Sequence, residues 1–100
     1  MSVQKMTSQQ IETGLKDLSG WKLQNEKLHW EFKFKSFVQA WGFMTQVAIL
    51  AERADHHPEW SNVYSRVTID LTTHEAGGIS QRDFDLAQKI NEVLVTMGVS

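Results

Sequence analysis

With 100 residues, 41% of them hydrophobic, the chain has apolar material for one core and is read as a single domain over residues 1–100. A formal net charge of -2 supplies no basic excess for nucleic-acid phosphates or an anionic membrane, so neither is expected as a partner. The absence of cysteine excludes a disulfide scaffold, a thiolate zinc site and a cysteine nucleophile.

The first residues, Met1 to Met6, carry no apolar targeting segment, and the apolar run near Val47 to Ala51 is too short to span a bilayer, so a cytoplasmic protein is expected. Thr7 or Ser8 caps a first helix, with Gln10 at capping-box spacing from Thr7, Ile11, Leu15 and Leu18 on one face, and Gly20 as the stop. Trp21 and Leu23 then alternate with polar residues, and Gln24 to Lys27 turn the chain. Leu28, Trp30, Phe32 and Phe34 follow in alternation with His29, Glu31, Lys33 and Lys35, which predicts a hairpin with one apolar face and an exposed His29.

Ser36 with Gln39 predicts a second capping box, opening a helix with Phe37, Trp41, Met44, Ala48 and Ala51 on its buried face. That helix ends by Asp55 to His57, because the residue before Pro58 is pushed out of the α region. Near its end, Glu52 and Arg53 read as a solvated pair. Val63, Val67, Ile69 and Leu71 share one parity and predict strand from about Trp60 to Thr72, folded back near Tyr64-Ser65. After Gly77-Gly78, Ser80 and Asp83 open a last helix carrying Phe84, Ala87, Ile90, Leu94 and Met97. The order α-β-β-α-β-β-α predicts an α+β domain, a four-stranded antiparallel sheet with helices packed on one face.

The residues suited to chemistry are histidines. His56 and His57 occupy a helix exit and His74 the end of the following strand, where functional groups collect. An unperturbed imidazole titrates near neutrality, so converging histidines divide acid and base roles without further tuning. The alternative for the pair is an exposed helix end, where His favours the terminal carbonyls. Asp83 suits the capping of its helix, a role compatible with orienting a histidine. Three imidazoles also suit a zinc ion, but adjacent histidines do not share a helical face and no H-E-x-x-H spacing occurs, so no metal site is expected. Phosphate-binding glycine loops and G-x-S-x-G are absent as well.

From Asp55-His56-His57-Pro58-Glu59-Trp60-Ser61-Asn62-Val63-Tyr64, through Val67-Thr68-Ile69-Asp70-Leu71-Thr72-Thr73-His74-Glu75, to Gly78-Ile79-Ser80 and Asp83, the sequence closely resembles the pterin-4a-carbinolamine dehydratase family. The match runs residue by residue from Glu52 to Asp83, and residues 1–35 follow it in outline. The resemblance implies dehydration of 4a-hydroxytetrahydropterin to quinonoid dihydropterin in tetrahydrobiopterin recycling, with no metal or other cofactor. It implies acid–base roles for His56, His57 and His74, undivided among them, with Asp83 fixing a histidine's tautomer or charge. It further implies that the histidine pair and Pro58 hold the substrate, that Trp60 forms an apolar wall, and that the backbone over Thr73, His74, Glu75 and Ala76 binds the pterin's edge. A homodimer or homotetramer is implied too. The alternative of a different class is a non-catalytic module that stabilises dimers of a transcription factor or acts as a coactivator.

Overall fold

The computed structural model describes residues 3–99. Helix α1 (Ser8–Leu15) starts where the sequence places it. Thr7 accepts from the Gln10 amide while the Gln10 side chain accepts from the Thr7 amide, closing the capping box. Leu18 is buried, but in the turn beyond the helix, ahead of Gly20 at φ 87°. Strands β1 (Lys22–Gln24) and β2 (Lys27–Lys33) are joined by Asn25 and Glu26, both at positive φ, the geometry of a tight two-residue hairpin.

Strands β3 (Glu59–Val63) and β4 (Arg66–Leu71) fold back at Tyr64-Ser65. The four strands form one antiparallel sheet in the order β1-β2-β4-β3. In register, Leu28 faces Leu71, Trp30 faces Ile69 and Phe32 faces Val67, so one side of the sheet is apolar. Helices α2 (Phe37–Ala54) and α3 (Gln81–Met97) cover that side, giving the expected α+β architecture. The Trp30 ring stacks on Phe43 of α2 and on Trp21, whose indole N–H bonds Asn91 of α3. No helix among the described residues is long and apolar enough to cross a membrane.

Two expectations about α2 need correction. Its buried stripe is Ala40, Phe43, Met44, Val47 and Ala51, whereas Phe37, Trp41 and Ala48 face outward. Apolar residues surround much of this helix, and small Ala40 lets the backbone approach the core while the bulkier Phe37 and Trp41 remain outside. The capping box is also only half formed. Ser36 Oγ accepts from the Gln39 amide, but Gln39 turns its side chain to the Lys35 amide.

Candidate active site

The exit of α2 delivers the histidine pair. Asp55 adopts the left-handed conformation at φ 50°, its amide bonds the Glu52 carbonyl, and the His56 amide reaches back to Ala51. This 6→1 and 5→2 pattern stops the helix and satisfies its last carbonyls. His56 is thereby turned inward, 8% exposed, while His57 stays on the surface. Pro58 then leads directly into β3.

Below His56 sits Asp83, fully buried in the first turn of α3. Its Oδ1 lies 2.6 Å from His56 Nε2, and its Oδ2 accepts from Thr73 Oγ1 at 2.8 Å and from the Ser80 amide at 2.9 Å. Asp83 therefore closes the α3 capping box and holds the imidazole with the same carboxylate. The proton wiring follows by elimination. Thr73 has one hydroxyl hydrogen, directed at Asp83, so the 2.6 Å contact between Thr73 and Ser80 has Ser80 as donor. With its Oδ2 accepting from Thr73 and Ser80, Asp83 accepts at Oδ1 from His56 Nε2–H, which leaves Nδ1 as the ring nitrogen not engaged by the carboxylate. Nδ1 has no hydrogen-bond partner among the described residues, and no polar side-chain atom there is both buried and unsatisfied.

Thr73 is followed by His74, which opens a 3₁₀ turn, His74–Ala76, ended by Gly77 at φ 77°. A bridge between Thr73 and Gly78 pinches the loop at its base. Glu75 and Ala76 lie in this turn, and Glu75 faces Arg82 at 3.4 Å. His74 is 84% exposed, and its Nε2 lies 3.4 Å from Glu59 Oε2. The other Glu59 oxygen is 2.5 Å from Lys27 Nζ at the start of β2. That ammonium holds the Glu59 carboxyl below its ordinary range, chiefly through the hydrogen bond, with a smaller part from His74.

Two carboxylates thus tie the segment bearing His56 and His57 to the segment bearing His74. Asp83 joins His56 to Thr73, and Glu59 joins the start of β3 to His74. His57 is held by a different carboxylate from the other two imidazoles. Its Nε2 faces Glu52 at 2.9 Å, so Glu52 pairs with His57 and not with Arg53. His56 and His74 line different clefts, of about 270 Å³ and about 430 Å³. Trp60 is half-buried, packed against the core. No group of three or more His, Asp or Glu side chains among the described residues is arranged to hold a metal ion.

His29 departs from its expected exposure. It faces Asp70 across β2 and β4, with Nδ1 2.8 Å from Oδ1, and is only 9% exposed. Strand parity places it on the sheet side away from the core, but parity does not reveal the partner in the next strand.

The family model described as pterin 4 alpha carbinolamine dehydratase matches residues 4–93. The chain belongs to this family. A relative from Solibacter usitatus, named for the same dehydratase, is 53% identical over 87% of this chain and 92% of its own. Another from Prochlorococcus marinus, similarly named, is 50% identical over 91% and 95%. A Brucella melitensis structure described as a transcriptional coactivator/pterin dehydratase superposes with a TM-score of 0.86 at 41% identity, covering 89% of this chain and 97% of that one. The dehydratase family's fold also extends to a pterin dehydratase-like protein described as a RuBisCO assembly factor, with a TM-score of 0.64 at 23% identity.

Proposed function

We propose that this chain dehydrates 4a-hydroxytetrahydropterin to quinonoid dihydropterin by histidine acid–base catalysis, as in tetrahydrobiopterin recycling. The observation that carries this reading is the buried Asp83 carboxylate, bonded both to His56 and to Thr73, the neighbour of His74. Family membership supports it independently.

The reaction breaks the C4a–O bond and removes the proton on N5, and the freed electron pair forms the C4a=N5 double bond. His56 accepts the N5 proton at Nδ1, and Asp83 stabilises the imidazolium that results. His74 donates a proton to the departing hydroxyl, which leaves as water, while Glu59 steadies that ring. His57, held by Glu52, orients the substrate. Pro58, Trp60 and the backbone of Thr73, His74, Glu75 and Ala76 complete the binding surface. The site resets when His56 gives up the proton taken from N5 and His74 takes one up from solvent.

The working protein in this reading is a cytoplasmic homodimer or homotetramer. Support for association comes from the apolar surface of Phe37, Trp41 and Tyr64, where Phe37 stacks on Tyr64 and meets Trp41 edge-on. The test of activity is the decay of freshly generated carbinolamine with chelator-treated protein. Decay faster than in buffer alone, in proportion to protein concentration, is expected; a buffer-like rate removes the enzyme reading.

A further inference from the structure

We propose that the cleft beside His74 receives the substituent on C6 of the pterin, and that it fits an extended amphiphilic arm whose anionic end is held by Lys5. This rests on the dehydratase reading above. C6 is bonded to N5, the atom that gives up its proton, so any arm on C6 departs next to the reacting histidines. Two clefts open there. The one at His56, about 270 Å³, is walled largely by the charged Asp55, Arg82, Asp85 and Lys89. The one at His74, about 430 Å³, has Met6, Ile11, Leu23 and Ile79 in its lining. Its volume falls within the roughly 300–1,000 Å³ of small-molecule sites, and its apolar lining suits an aryl group.

The N-terminal segment forms one wall. The Met6 amide bonds the Ile79 carbonyl at 2.8 Å, and the Lys5 stem crosses Gly78 so closely that a Cβ there would lie 2.9 Å from Lys5 Cε. Lys5 has no ion-pair partner among the described residues, whereas Lys27, on the opposite rim, is engaged by Glu59. Glu26, beside Lys27, disfavours an anion on that side, so the two rims together direct a carboxylate toward Lys5.

The test compares kcat/KM for three carbinolamines: one with a 6-methyl group, one with a neutral aryl arm, and one with an aminobenzoylglutamate arm. The expected ratio of the glutamate-armed to the 6-methyl substrate is about 10 or more, the usual worth of a charged hydrogen bond. Lys5→Ala, and Gly78→Ala by displacing Lys5, should each lower that ratio about 10-fold, whereas Lys89→Ala in the other cleft should leave it unchanged. Equal kcat/KM for all three substrates overturns the inference, as does loss of the preference in Lys89→Ala but not Lys5→Ala. If no substrate is turned over, the dehydratase reading fails. The inference is then decided by the Kd values of the corresponding stable dihydropterins: a Lys5-dependent preference for the glutamate arm upholds the cleft assignment, and its absence overturns it.

Discussion

His56 Nε2 and Asp83 Oδ1 lie 2.6 Å apart, and the carboxylate is fully buried. Its remaining oxygen is occupied by two donors, so the carboxylate dictates which imidazole nitrogen carries hydrogen. Asp83→Asn is nearly isosteric but reverses that instruction. With the amide oxygen serving Thr73 and Ser80, the amide NH₂ meets His56, and the ring must move its proton to Nδ1. We expect kcat to fall about 10²-fold or more with the fold intact. Asp83→Ala should instead cost about 1–3 kcal/mol of stability by leaving buried donors unsatisfied, read from urea denaturation. Full activity in Asp83→Asn would contradict the proposed proton placement.

Gly14 separates propensity from packing. In an exposed helix, Gly→Ala stabilises by about 0.5–1 kcal/mol. A Cβ on Gly14 would meet Phe84 Cε1 at 2.6 Å, so α1 rests directly on that ring. Gly14→Ala is therefore expected to destabilise by about 1–3 kcal/mol through overpacking. A raised thermal midpoint would show that α1 and Phe84 move apart freely.

The Lys27–Glu59 pair gives stability a dependence on pH. Lys27 depresses the carboxyl of Glu59 below its ordinary 4.5, so the contribution of Glu59 is complete above that value and is lost as pH falls through the depressed one. The hydrogen bond to Glu59 raises Lys27 above its ordinary 10.5, so its contribution is complete below that value and is lost as pH rises through the raised one. Both groups are solvent-accessible, and the effect is small. The stability gap between the wild type and Glu59→Gln should be present near neutrality and narrow at both extremes. Urea midpoints measured across pH check this; a constant gap contradicts it.

The apolar surface shared by α2 and the β3–β4 turn predicts association. Phe37, Trp41 and Tyr64 are 48%, 50% and 72% exposed. Sedimentation velocity should give a mass of at least two chains, and Trp41→Glu should reduce it while leaving the circular dichroism unchanged. A wild-type monomer at micromolar concentration would contradict this assembly.

Much of the fold was legible because its signals are local. Thr7 with Gln10 and Ser80 with Asp83 announce helix starts, Pro58 limits α2, and Leu28-Trp30-Phe32 alternates at the strand period. The face of α2 was less legible, since large apolar residues lie on two sides of it and only its packing on the sheet decides between them. The positions of His56, His74 and Asp83 along the chain were readable, but the Asp83 bonds to His56 and Thr73 were not. The pairing of His29 with Asp70 and the Lys27–Glu59–His74 chain were hidden because strand register exists only after folding. Lys5 carries no sequence signal of its own; its place depends on Gly78, seventy-three residues later in the chain.

The measurement closest to the central claim is the decay of freshly generated 4a-carbinolamine with His56→Ala and His74→Ala beside the wild type. Each variant is expected to lower the catalysed rate about 10²-fold or more, and exposed His74 should be removable with little change in stability. Folded variants that both retain the wild-type rate would contradict the account.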